Sequence, residues 1–219
     1  MKILVEFVKS VFGENLLAST NWSKIRTCFD KETTLVGLYI SIFVIAPILS
    51  TRIVDIYGAK LLVGSILMSF AFGFLDVLNN DYGANRARQV VISAFIVRLI
   101  VWCLILLSKF LPTFKEPIGY HEILMRGVRI LIAGEISLTF SQLLIDIPIF
   151  AKIKEFSSRF SIRYNVSNAI SHALGLVVFT LIAFAGTGMP MFNLYWSKVL
   201  YGIVISIILT PLFGALCKK

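Results

Sequence analysis

The chain has 219 residues, 58% hydrophobic and only 15% charged, with a net charge of +9 and a mean hydropathy of +0.87. A soluble domain of this size cannot carry so much apolar surface, so the composition predicts an integral membrane protein. The basic excess lies between long apolar runs and builds no aromatic and basic platform, which excludes nucleic acid as a partner.

Residues 1–15 place Lys2, Glu6 and Lys9 on one side of a helical wheel and Ile3, Leu4, Phe7, Val8 and Val11 on the other. That pattern suits a helix lying in the membrane interface, and its interrupted apolar run does not suit a cleaved signal peptide. Residues 1–32 are therefore expected to form a cytoplasmic N-terminal segment, and 33–219 a single transmembrane domain.

Six segments are apolar enough to cross about 30 Å of hydrocarbon. They are Thr34 to Ser50, Leu61 to Leu78, Val90 to Leu107, Arg129 to Phe150, Tyr164 to Ala185 and Trp196 to Leu216. Turn-forming residues separate them, at Asp55 to Gly58, Pro112 to Pro117 and Gly186 to Pro190. The predicted fold class is all-α, an integral membrane bundle of six transmembrane helices. Lys24, Arg26 and Lys31, then Arg86 and Arg88, then Lys152, Lys154, Arg159 and Arg163, then Lys218 and Lys219 fall on one side of it. By the positive-inside rule that side is cytoplasmic and holds both termini.

Several polar side chains lie inside the spans. In the fourth, Glu135, Thr139, Gln142 and Asp146 recur at i, i+4, i+7 and i+11, which at about 100° per residue makes one narrow stripe. Such a stripe must face protein or water, because a carboxylate at bilayer depth costs a few kcal/mol. The fifth repeats the spacing with Asn168, His172, Gly175 and Phe179, and Asn165 lies close to the same face. Two consecutive helices joined by a short loop pack antiparallel, so the stripes are expected to enclose a mid-membrane pocket. Alternatively the stripes satisfy one another as an interhelical network. The expected substrate-binding residues are Asp76, Glu135, Gln142, Asp146, Asn168 and His172, with Arg88, Arg129 and Lys198 as supporting charges. Arg98, inside the third span, needs a carboxylate partner, whereas Arg129 and Lys198 lie near enough to helix ends to reach the interface. The cysteines Cys28, Cys103 and Cys217 form no CxxC pair and only two histidines occur, so no disulfide framework, metal or other cofactor is expected.

Asp76, Tyr82-Gly83 and Ala87-Arg88 reproduce the spacing of a motif in the vitamin uptake transporter family, and this chain resembles that family from about Leu35 onward. Arg129, Asp146, Phe150 and the run from Ala151 to Lys154 are similar to its fourth helix, and Ser167-Asn168, Phe179, Ile182 to Phe184, Lys198 and Pro211 to its later ones. Two departures fall in the pocket: Leu143 stands where members carry Gln or Glu, with Gln142 one residue earlier, and His172 and Gly175 replace an amide and an acid. The resemblance implies a transporter of the bacterial inner membrane whose cargo is a queuosine precursor, 7-cyano- or 7-aminomethyl-7-deazaguanine. Carboxylates and amides suit the N–H and carbonyl edges of such a base, and Glu135 or Asp146 is a candidate carrier of a coupling proton.

No GxxxxGK[ST] sequence occurs, so a P-loop of its own does not drive transport. Size and helix count also resemble the substrate-binding component of an energy-coupling-factor transporter, which would borrow ATPase partner subunits. A membrane-embedded hydrolase using Glu135 or Asp146 with His172 is a third reading. It lacks HExxH, paired glutamates and a GxSxG serine, so a non-enzymatic transporter is expected.

Overall fold

Backbone N–H and C=O groups find no partner in hydrocarbon, so a run that crosses it must bond within itself, as a helix does. A computed structural model, which describes residues 30–50, 53–56, 59–110, 128, 132–184 and 191–217, has six such helices. They are α1 (Lys31–Leu49), α2 (Val63–Tyr82), α3 (Ala84–Leu107), α4 (Ile132–Phe156), α5 (Phe160–Phe184) and α6 (Met191–Cys217). Each contains a stretch long and apolar enough to span a bilayer, as the hydropathy pattern predicts. The expected interfacial helix, Cys28 and Arg129 lie outside the described residues.

The chain divides into Met1–Thr34 and Leu35–Lys219. Of the first unit, residues 30–34 are described, where the Thr34 hydroxyl donates to the Asp30 carbonyl at 3.0 Å. The second holds the packed bundle.

Between α1 and α2 the chain does not simply turn. Strands β1 (Ile53–Ile56) and β2 (Ala59–Leu62) pair antiparallel, with Ile53 opposite Leu62 and Ile56 opposite Ala59. The β-branched Ile53, Val54 and Ile56 favour extended backbone, and two residues including Gly58 separate the strands. Leu61 and Leu62, expected to open the second span, belong to β2.

The bundle core runs along α2. Tyr39 and Phe43 of α1, Phe72, Leu75 and Leu78 of α2, Ile147 and Phe150 of α4, Tyr164 of α5 and Phe213 of α6 are buried together. Gly73 is required there, because a Cβ at that position would stand 2.1 Å from the Phe213 ring. The opposite face of α3, with Ile96, Ile100 and Leu104, is exposed to the surroundings, the arrangement a lipid-facing helix needs.

One end of the bundle is tied by polar contacts. Gly83, with φ of 87°, turns α2 into α3 through a backbone region that other residues adopt only under strain. Lys154 at the exit of α4 donates to the Asn80 carbonyl at 2.9 Å, and the Asn79 amide donates to the Ile147 carbonyl at 3.2 Å.

Helix α4 is not uniform. Ser141–Asp146 forms a π-helical turn in which the Ile147 N–H bonds back to the Gln142 carbonyl, five residues earlier. Pro148 accounts for it: its ring has no N–H to donate and crowds the carbonyl four residues back, at Leu144, and widening the preceding turn relieves that crowding.

Candidate functional site

The π turn changes where the polar residues of α4 point. Glu135 reaches α3, where its Oε2 lies 2.7 Å from Arg98 Nη2. Gln142 reaches α1 and accepts from the Tyr39 hydroxyl. Asp146 reaches α5 and accepts from Ser171 at 3.3 Å. The single stripe expected on this helix therefore meets three neighbours, and the residue added by the wide turn sets Asp146 off from Glu135, which precedes it.

At the α2–α3 turn end of the bundle, Asp76 of α2 and Asp146 of α4 are both fully buried. Asn168 of α5 donates its amide to Asp76 Oδ2 at 3.0 Å. One turn further along α5, the Ser171 hydroxyl lies between two acceptors, Asp146 Oδ1 at 3.3 Å and the Asn168 carbonyl at 3.2 Å. Asp76, Asn168, Ser171 and Asp146 thus form one chain of hydrogen bonds across three helices. Arg163 of α5 also lies near, with its guanidinium 5.3 Å from the centre of the Phe150 ring and its Nη2 donating to the Ser158 carbonyl at 3.3 Å.

A cavity of about 850 Å³, counting its open mouth, lies toward the hairpin end among α1, α2, α4, α5 and α6. Its walls combine rings with small polar groups. Phe72 and His172 lie with centroids 4.5 Å apart at 42°, and Phe179 carries the Lys198 ammonium 4.3 Å from its ring centre. Ser137 and Ser141 line it from α4, Ser171 from α5 and Tyr201 from α6. His172 Nε2 is buried without a hydrogen-bond partner. Gly175 permits the close approach of α4 and α5 here, since a Cβ would stand 2.9 Å from that of Ser141.

The structure thus brings together Asp76, Asp146 and Asn168 in one network, and places His172 and Lys198 in the cavity. Ser171 belongs to both. Glu135 and Gln142 are buried against Arg98 and Tyr39, and Arg98 also lies 4.3 Å over the Phe43 ring. Arg88 is exposed and donates to Asn85 at 3.3 Å. Asn165 leaves the expected face for α6, where it bonds Thr210 at 2.9 Å and Ser206 at 3.0 Å.

Lys198 departs from expectation. It does not reach the interface but is buried, because α6 begins at Met191, about one and a half turns before Trp196, where hydropathy opens the span. Phe72, Ser141 and Ser171 complete the two sites without having been singled out in the sequence. Pro148 was the available signal for the altered register of α4, and Ser171 stands at i+3 from Asn168, on the same edge of α5.

Six spans around a largely apolar cavity with a few polar groups, and buried charges beside it, define a multi-pass membrane protein with room for a small molecule. A family model described as "putative vitamin uptake transporter" matches residues 62–216, and the chain belongs to that family. No curated protein matches the chain, and no solved structure does.

Proposed function

We propose that this protein is an uptake transporter of the bacterial inner membrane for a small heterocycle of the 7-deazaguanine class, with both termini cytoplasmic. The observation that carries the reading is the cavity. The rings of Phe72, His172 and Phe179 give a planar base faces to stack on, and His172 Nε2 with the serine hydroxyls gives its edge polar partners. With the termini inside, the hairpin end is the outer end, and the cavity lies in the half from which cargo arrives.

Charge favours one of the two candidate bases. Lys198 lines the cavity, and among the described residues that line it there is no carboxylate. An ammonium donor suits the nitrile of the 7-cyano base and repels the cationic side chain of the 7-aminomethyl base. Family membership supports transport of a vitamin-like solute, and the 7-deazaguanine assignment rests on the sequence resemblance and this fit.

The test is uptake of labelled 7-cyano-7-deazaguanine by cells unable to make it, with and without this chain, read also as queuosine in their tRNA. Uptake that the 7-aminomethyl base competes for only weakly is expected. A protein that reaches the membrane yet restores no queuosine would overturn the cargo. Uptake that requires added ATPase subunits would overturn autonomous transport in favour of an energy-coupling-factor component.

A further inference from the structure

Taking a carboxylate out of water is tolerated only where a positive charge or enough hydrogen-bond donors replace the lost solvation. Asp76 has Arg163 within electrostatic reach but in no ion pair with it, and Asp146 has only the hydroxyls of Ser171 and Ser167. Among the described residues no ion pair reaches either one, and the nearby Arg163 donates to Ser158 and lies over Phe150. Donors also run short. Asp76 Oδ1, Asp146 Oδ2 and Asn168 Oδ1 are three buried acceptors without a hydrogen bond, and the single hydroxyl protons of Ser171 and Ser167 are each shared between Asp146 and a backbone carbonyl, of Asn168 and of Tyr164.

A proton on a carboxyl group turns one acceptor into a donor, which is what this network lacks. We infer that the Asp76–Asn168–Ser171–Asp146 network is the site where this transporter binds and releases a coupling proton, an inference that rests on the transport reading above. The amide of Asn168, whose Oδ1 lacks a donor, is part of the same deficit and not a carboxylate.

Ser171 gives the site its link to cargo. When Asp146 is ionised, the Ser171 hydroxyl must donate to it. When Asp146 carries the proton, the carboxyl donates to Ser171 and the hydroxyl proton turns to the Asn168 carbonyl. Ser171 lines the cavity, so the two protonation states present different walls to a bound base. The other titratable or charged groups facing the pair are Tyr39 of α1 and Arg163 and Tyr164 of α5; none from α3 or α6 does so among the described residues.

Infrared spectra of the purified protein across pH read the site without any substrate. The wild-type chain is expected to show a carboxylic-acid carbonyl band near neutral pH that disappears as the pH rises, and Asp76→Asn or Asp146→Asn is expected to remove it. In vesicles, an inward pH gradient of about one unit, coupled one proton to one substrate, supports about tenfold accumulation of labelled 7-cyano-7-deazaguanine. Either substitution is expected to bring accumulation down to about the external concentration, a loss of about tenfold. Absence of the wild-type band, or a band that neither substitution changes, overturns the inference. So does uptake driven by a sodium gradient and indifferent to pH, which would make the network a sodium site. Vesicles that take up no 7-deazaguanine under any gradient refute the cargo, while the wild-type infrared band still decides the proton site.

Discussion

Replacing Glu135 by alanine strands the Arg98 guanidinium inside the bundle. Arg98 is 1% exposed, its Nη2 lies 2.7 Å from Glu135 Oε2, and the Phe43 ring closes it off at 4.3 Å. At an effective dielectric of about 20, opposite charges at that separation attract by about 6 kcal/mol, most of which offsets the desolvation of both groups. Removing one partner therefore costs about 3–5 kcal/mol, the usual effect of leaving a buried charge uncompensated. For a chain of this length that corresponds to a fall in Tm of about 10 °C, measured by tryptophan fluorescence of the detergent-solubilised protein. The double variant Glu135→Met with Arg98→Met removes both charges at similar volume and is expected to recover most of the loss, giving a coupling energy of about 3 kcal/mol in a double-mutant cycle. A Glu135→Ala protein that melts with the wild type, or a double variant no better than the single, would refute a structural ion pair at this place.

Gly73→Ala forces a methyl group into the Phe213 ring and is expected to cost about 1–3 kcal/mol by overpacking, with Phe213→Leu in the same chain restoring part of it on thermal melting. His172→Phe keeps a ring against Phe72 but loses the Nε2 edge, so Tm should hold while the KM for uptake rises about tenfold, the value of one hydrogen bond to a buried polar group. Lys198→Met removes the ammonium from the cavity and should narrow the preference for the 7-cyano over the 7-aminomethyl base by about tenfold, read by competition against labelled cargo.

The helices were legible because hydropathy over a window of span length is a strong signal that neighbouring segments do not alter. What hydropathy cannot see is polar register. Asn168 and His172 fell where periodicity put them, since α5 runs as unbroken α-helix through both. On α4 the same arithmetic failed below Phe140, because the wide turn before Pro148 breaks the period it assumes. Ahead of that turn the period holds, but the face that lines the cavity is Gly134, Ser137, Leu138 and Ser141, one position away from the stripe of larger polar residues. The partnership of Asp76 with Asn168 joins positions 92 residues apart, and nothing local in either segment encodes it. Lys198 was misread through a boundary: polar residues at the start of α6 lowered its hydropathy, so the helix began earlier than the apolar run. The β hairpin was missed because a four-residue strand carries too little pattern to distinguish it from a turn.

The wide turn in α4 also bears on the odd position of Gln142. Counted along the chain, that amide stands four residues before Asp146, where the resembling family keeps its polar group three before. A turn closed by bonds over five residues takes up one residue more than an ordinary turn. Gln142 and Asp146 stand within that turn, the first accepting from Tyr39 of α1 and the second from Ser171 of α5. Deleting Leu143 or Leu144 would remove the extra residue of that turn and re-aim Gln142 relative to Asp146.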